Sequence, residues 1–165
     1  EKVRMLRNYG SRKKYHHELL GFNSRIEELH AAILRVKLGR LDEWNARRRA
    51  IAALYNRQLQ HAPGLCLVHI LDGIEAVWHL FPIRHRQRDQ LQRMLADRGV
   101  MTQVHYPVPP HLSEAYTPVG LTVNSLPIAE GMGKTLLSLP IGPHVSMEQA
   151  EYVVRAVSEA TLELV

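Results

Sequence analysis

Residues 77–111, VWHLFPIRHRQRDQLQRMLADRGVMTQVHYPVPPH, decide the fold. Val77–Arg84 is apolar enough for a strand, and Pro82, which lacks a ladder donor, places it at an edge or a bulge. Arg88–Arg98 follows as an amphipathic helix, with Leu91, Met94 and Leu95 at helical spacing and Gly99 at the C′ position. Val100–His105 predicts a further strand. Strand, helix and strand make one compact α/β unit. The stretch then ends in His105-Tyr106-Pro107-Val108-Pro109-Pro110-His111. Proline fixes φ near −65° and pushes the residue before it into extended conformations. This segment is therefore a stiff loop, read either as a presenter of polar rings or as a proline-rich surface loop.

Working outward, Leu65–Ile70 predicts a strand ahead of this unit. Leu136–Leu139 predicts a short strand behind it, ended by Pro140. Residues 107–125 form a long loop, and a short helix near Ile128–Lys134 is weakened by Gly131 and Gly133. Ser146 and Gln149 form a capping box, after which Ala150, Val153, Val154 and Val157 mark a last helix. Towards the start, Leu41–Leu59 carries Trp44, Ile51, Leu54 and Tyr55 in a helical pattern closed by Pro63-Gly64. Before it, Ser24 and Glu27 read as a capping box for a helix with Ile26, Leu29, Ile33 and Val36 on one stripe, interrupted at Gly39. Residues 1–20 read as an irregular basic approach segment. The expected organisation is linking helices through residue 60 and a small α/β domain over 61–165.

The chain has 165 residues, 45% hydrophobic and 22% charged, the proportions of an ordinary globular domain. No stretch approaches a membrane span, and the first residues lack the apolar run of a signal peptide. A single cysteine, Cys66, permits no internal disulfide and reads as a buried small hydrophobe. These features suit a reducing cytoplasm. The net charge of +5 is concentrated in Lys2–Lys14 and Arg47-Arg48-Arg49. Such charge attracts nucleic acid, phosphorylated ligands or acidic surfaces. Aromatic interleaving is too sparse for a single-strand stacking platform, and Arg47–Arg49 read as the wet side of a helix.

Two segments carry candidate chemistry. His105, Tyr106 and His111 offer hydrogen-bonding rings on the proline loop, and histidine exchanges protons near neutral pH. The spacing of His61, His79, His85, His105, His111 and His144 matches no metal signature, so no metal is expected. Gly21-Phe22-Asn23-Ser24-Arg25 is placed at a helix N-terminus, where free amides favour an anion and Arg25 can fork onto phosphate or carboxylate. Capping alone would also account for Asn-Ser at that place. No nucleophile elbow, Walker loop or Gly-x-Gly-x-x-Gly occurs.

Taken together, the segments resemble the C-terminal part of the DegT/DnrJ/EryC1 family of pyridoxal-phosphate-dependent sugar aminotransferases. The matching pieces keep the family order. They are Arg7-Asn8-Tyr9-Gly10, the Gly21-Phe22-Asn23-Ser24-Arg25 start with its Ala31-Ala32 run, Trp44–Arg49, Val77–Phe81, His105–His111 and Leu137-Ser138-Leu139-Pro140. The resemblance implies an α/β fold with an α+β small domain, the C-terminal region of the type I aminotransferase fold. Long helices come first, then a small sheet flanked by helices. It implies a homodimer with the site at the subunit interface. Asn23 would reach the cofactor phosphate of the neighbouring subunit, Arg25 the nucleotide-sugar substrate, and His105, Tyr106 and His111 would line the substrate pocket. The setting would be polysaccharide or antibiotic sugar biosynthesis, with an amino acid as donor.

The chain departs from that family in one respect. Its five lysines are Lys2, Lys13, Lys14, Lys37 and Lys134. None stands in the serine-rich context of the family's Schiff-base lysine, so no catalytic residue is assigned. The expectation is a truncated piece that does not bind pyridoxal 5′-phosphate or transaminate alone, and that assembles with itself or with a partner carrying the large domain. The alternative is a non-catalytic binding or assembly module derived from the same fold. A basic nucleic-acid-binding domain would show strongly salt-dependent DNA binding, but no recognition motif accompanies the charge.

Overall fold

The apolar positions of Leu41–Leu59 fall on one side of a helix, and that side is where the interior forms. In the computed structural model, which describes residues 1–165, Ile51, Ala52, Leu54, Tyr55 and Leu59 are all buried. The chain divides into two compact units, Glu1–Leu41 and Asp42–Val165.

The first unit holds α1 (Lys2–Leu6), β1 (Ser11–Lys13), β2 (His16–His17) and α2 (Glu28–Leu38). The expectation of an irregular segment over residues 1–20 is thus corrected: a one-and-a-half-turn helix leads into an antiparallel hairpin that pairs Ser11 with His17. Residues 22–24 then run back beside residues 6–9. The N–H of Phe22 donates to Leu6 (2.6 Å), that of Tyr9 to Phe22 (2.9 Å) and that of Ser24 to Arg7 (2.9 Å). This pairing overturns the capping box expected at Ser24. Ser24 is bonded to Arg7, and α2 starts only after Glu27, which is extended and whose side chain makes no cap bond. Gly39 closes α2 as anticipated, in right-handed rather than left-handed backbone.

The second unit contains α3 (Leu41–Leu59, its first residue at the boundary), β3 (Cys66–Leu67), β4 (Phe81–Arg84), α4 (Arg88–Asp97), α5 (Pro127–Thr135), β5 (Leu136–Leu139) and α6 (Met147–Leu162). The three strands form one antiparallel sheet in the order β3-β4-β5. Phe81 pairs with Leu139 and Ile83 with Leu137, so period-two alternation puts all four on the core face. Leu91 and Leu95 of α4 and Val153 and Val157 of α6 join them. Each such side chain contributes about 1.5–3 kcal/mol by leaving water. Tyr55 meets Phe81 edge-on at 5.0 Å, and Trp78 lies tilted to Phe81 at 5.1 Å. The capping box at α6 forms as read: Ser146 Oγ accepts from the Gln149 N–H at 3.1 Å, and Gln149 Oε1 accepts from the Ser146 N–H at 2.8 Å.

Several expectations for this unit are corrected. The strand at Leu65–Ile70 shrinks to Cys66–Leu67, and Cys66 faces out, exposed rather than buried. The strand with Pro82 is the central one, not an edge. Ser138, opposite Pro82, directs its N–H and C=O to Gln103, so the pair makes no ladder bond. The Pro82 nitrogen therefore turns towards β3, which ends opposite Ile83, and its missing donor leaves no gap. Val100–His105 does not form a strand. Val100 donates to Leu95 in the exit of α4, and only Gln103 pairs with β5. Arg47 is exposed and Arg48 and Arg49 are half-buried, as a solvated face allows, but all three are engaged. Nε of Arg47 donates to the Val145 carbonyl (3.1 Å), Nε of Arg48 to the Val77 carbonyl (3.3 Å), and Arg49 pairs with Glu75 at 2.8 Å. They fasten connecting segments onto α3.

Candidate functional site

β5 has only one polar side chain, and alternation turns it away from the core. Ser138 thereby faces the chain that runs from α4 into the proline loop. Gln103 bridges to Ser138 through both main-chain bonds, N–H to O at 3.2 Å and O from N–H at 2.7 Å. The chain leaving this bridge brings Nδ1 of His105 to 2.9 Å from Ser138 Oγ. The His105–Tyr106 peptide bond is cis, and the two rings meet edge-on at 5.5 Å. Tyr106 projects outward, 69% exposed. Beside them lies a cleft of about 260 Å³ with His105, Ser138, Gln103 and Thr102 as polar lining and Leu80 and Ile141 among the apolar residues. It offers a ring that can donate or accept, hydroxyls and an apolar floor, which suits a small polyhydroxylated group.

His111 sits apart from this cleft. It lies in a short 3-10 turn, Pro110–Leu112, that opens a second one, Glu114–Val119. Its ring is buried, with Nε2 3.2 Å from Oε1 of Glu130 on α5. Glu130 also accepts from the main-chain N–H of Asn124 at 3.0 Å and of Leu126 at 3.2 Å. The Asn124 amide does most to hold this carboxyl below the usual glutamate range; burial opposes it, and His111 and the Leu126 amide reinforce it.

Asn23 and Arg25 belong to the first unit. They do not stand at a helix N-terminus, because α2 begins at Glu28 with Glu27 at its N-cap. The anion site expected from free helix amides is therefore not formed by these residues. Asn23 is exposed, its backbone bridged to Asn8. The Arg25 guanidinium carbon lies 6.0 Å over the Tyr9 ring. Around it is an open cleft of about 410 Å³ that also takes in Lys14, Tyr15 and His17. Nδ1 of His17 is 2.8 Å from Ser11 Oγ and 2.9 Å from the Tyr9 carbonyl. Cations beside phenol rings suit an anionic group carried on a ring.

The sequence reading named His105, Tyr106 and Arg25 but missed the residues that hold them. Ser138 was legible in the alternation of Leu137-Ser138-Leu139. Glu130 follows Pro127 by three residues, within reach of the amides ahead of the helix start that the proline marks. No group of three or more His, Cys, Asp or Glu side chains converges as a metal site would require. No helix is long and apolar enough to cross a membrane.

Solved structures that resemble this chain include aminotransferases. DesV from S. venezuelae superposes with a TM-score of 0.92 at 49% identity, over 97% of this chain and 43% of that one. A DegT DnrJ EryC1 StrS aminotransferase from Brucella abortus gives 0.85 at 26% identity, over 94% and 42%. The α/β fold is thus that of an aminotransferase.

Residues 1–158 match the DegT/DnrJ/EryC1/StrS aminotransferase family, and the chain belongs to it. It is 51% identical over 154 residues to the erythromycin biosynthesis sensory transduction protein EryC1 of Saccharopolyspora erythraea, covering 93% of this chain and 42% of that protein. It is 50% identical over 159 residues to the dTDP-3-amino-3,4,6-trideoxy-alpha-D-glucose transaminase of Streptomyces venezuelae, covering 96% and 42%. The chain therefore spans about two fifths of the length of these curated relatives.

The family is pyridoxal-phosphate dependent, which sets a test for the residues present. The cofactor needs a lysine whose amine is neutralised by desolvation and a group facing the pyridine nitrogen. All five lysines here are exposed. None of the five is desolvated as that amine requires.

Proposed function

We propose that this chain is the C-terminal, substrate-binding and dimer-completing part of a pyridoxal-phosphate-dependent aminotransferase acting on nucleotide-linked keto sugars, inactive by itself and working in the cytoplasm. Residues 1–60 are the end of the large domain and the linking helices, and 61–165 the small domain. Asn23 reaches the cofactor phosphate held by a neighbouring subunit, and Arg25 the nucleotide-sugar substrate. His105 and Tyr106 line the substrate pocket, and His111 belongs to the same wall. The amino donor is an amino acid.

The observation that carries this reading is the 50% identity, over nearly the whole chain, to a transaminase named for a dTDP-linked amino sugar. The cleft at His105 and Ser138 supports it with hydroxyl and imidazole groups matched to a sugar. The exposure of all five lysines supports the inactivity of the chain alone, since the Schiff-base amine needs a desolvated site beside the cofactor.

The test has two arms. The purified chain, mixed with pyridoxal 5′-phosphate, should give no bound-cofactor absorbance and no glutamate-dependent amination of a dTDP-linked keto sugar. Joined to the remaining part of S. venezuelae DesV in place of the matching segment, it should restore amination. Turnover by the chain alone, or a folded, dimeric chimera without turnover, overturns the proposal.

A further inference from the structure

Glu130 is a carboxylate inside the second unit, and nothing in the proposed chemistry uses it. It is only 6% exposed, on a helix whose other early residues, Ile128 and Ala129, are apolar. A buried carboxylate is retained only where hydrogen bonds replace water. Three converge here: the Asn124 and Leu126 amides from the turn just ahead of the helix, and the His111 ring from 19 residues upstream. A carboxylate accepts only, so Nε2 of His111 carries the hydrogen in this bond.

The same helix supports the loop at a second place. A Cβ built on Gly133 would come within 3.2 Å of the Pro107 carbonyl oxygen and of Pro109 Cδ. The α5 backbone therefore lies directly against the prolines. α5 is tied in turn to α4, because Nη1 of Arg88 donates to the Gly133 carbonyl at 3.4 Å and to the Leu136 carbonyl at 3.0 Å. His105 and Tyr106 thus leave a segment clamped on both sides. Upstream they are fixed at Ser138, and downstream by Gly133 against Pro107 and Pro109 and by Glu130 on His111.

We infer that Glu130 is a positioning residue: acting from α5 through His111 and the Asn124 and Leu126 amides, it fixes the segment from His105 to Leu126 as a substrate wall. The inference rests on reading His105 and Tyr106 as substrate-lining. Glu130 touches no substrate itself. It sets where the two rings stand, and a misplacement of about 1 Å in such a group can cost up to roughly a hundredfold in rate.

The experiment compares wild type, E130A, E130Q, H111Q and E130A/H111Q. In the chain as it stands, ¹⁵N–¹H spectra should show Asn124 and Leu126 amides exchanging faster in E130A, and the His105 and Tyr106 signals moving with them. E130Q keeps one carbonyl oxygen and should move them less. The double variant should be no worse than E130A, because the bond that H111Q breaks is already lost in E130A. In the DesV chimera, E130A should raise KM for the nucleotide sugar roughly tenfold with a smaller change in kcat, the pattern of lost binding geometry. If the Asn124 and Leu126 amides open while His105 and Tyr106 stay still, or if kcat falls with folded fraction at constant KM, Glu130 is only a structural residue and the inference fails. A wild-type chimera that does not turn over overturns the functional reading instead, and the spectra then decide the clamp by themselves.

Discussion

Nε2 of His111 stands 3.2 Å from Oε1 of Glu130, with both side chains buried in a unit whose remaining carboxylates reach solvent. Two main-chain amides complete the shell, and the Asn124 amide contributes most to holding the Glu130 carboxyl below the usual glutamate range. A group whose folded-state value is lowered adds stability that is present above its unfolded value and is lost as pH falls through the folded one. The wild-type chain should therefore lose stability on acidification below the ordinary glutamate range. E130Q should start lower near neutral pH and show a flatter acid limb. Urea midpoints between about pH 6 and about pH 3 check this; parallel profiles for the two proteins would remove Glu130 as the source.

A second prediction concerns Gly21. A Cβ there would lie 2.1 Å from the Gly10 nitrogen and 2.6 Å from the Tyr9 carbonyl carbon, and Gly10 itself has φ of 72° with Leu19 pressed against it. Two backbones cross without room for a methyl group. Gly21→Ala should cost about 1–3 kcal/mol or more within the first unit. Hydrogen exchange should show the amides of Tyr9, Phe22 and Ser24 losing protection while those of α6 keep theirs.

The difference between these two places explains what the sequence could disclose. Elements whose reasons are local were legible from side-chain type alone: α3 by its apolar side, α4 by Leu91, Leu95 and Gly99, β5 by its alternation, and α6 by Ser146 and Gln149. Elements whose reasons are distant were not. Ser24 and Glu27 carry the residues of a capping box, yet pairing with residues 6–9 holds that stretch extended. Pro82 indicates an edge, yet it sits in the central strand because its neighbour β3 is too short to need the missing donor. In the site, His105 and Tyr106 announced themselves by their prolines. Ser138 and Glu130, which hold the loop, are ordinary residues in sequence and acquire meaning only through contacts 33 and 19 residues away.

The hydroxyl of Tyr55 gives a third prediction. It donates to the Pro140 carbonyl at 2.7 Å from a fully buried ring, and burial pushes its pKa well above the ordinary tyrosine value. Pro140 follows β5 directly and lines the cleft beside Ser138. Tyr55→Phe keeps the edge-on contact with Phe81 and removes only the donor. It should cost about 0.5–1.5 kcal/mol, the net worth of one hydrogen bond to a half-buried carbonyl. Urea unfolding should show a lower midpoint at unchanged m-value. An unchanged midpoint would mean that water reaches Pro140.

The last prediction follows from α2. The helix carries Leu29, Ile33, Leu34, Val36 and Leu38, yet none of its residues is buried, and Leu29 and Val36 are 72% and 74% exposed. Ile26 and Phe22, just before it, are exposed as well. A row of apolar side chains at helical spacing gains about 25 cal/mol for each Å² removed from water, so a free face of this size favours association. The chain should therefore sediment as a dimer or larger assembly at micromolar concentration. Leu29→Glu with Ile33→Glu puts two charges on that face without touching a buried residue. The double variant should sediment as a monomer, while the amide protection of α6 stays as in wild type. A wild-type chain that is monomeric throughout would show that α2 needs no cover and would count against the dimer-completing role proposed for this region.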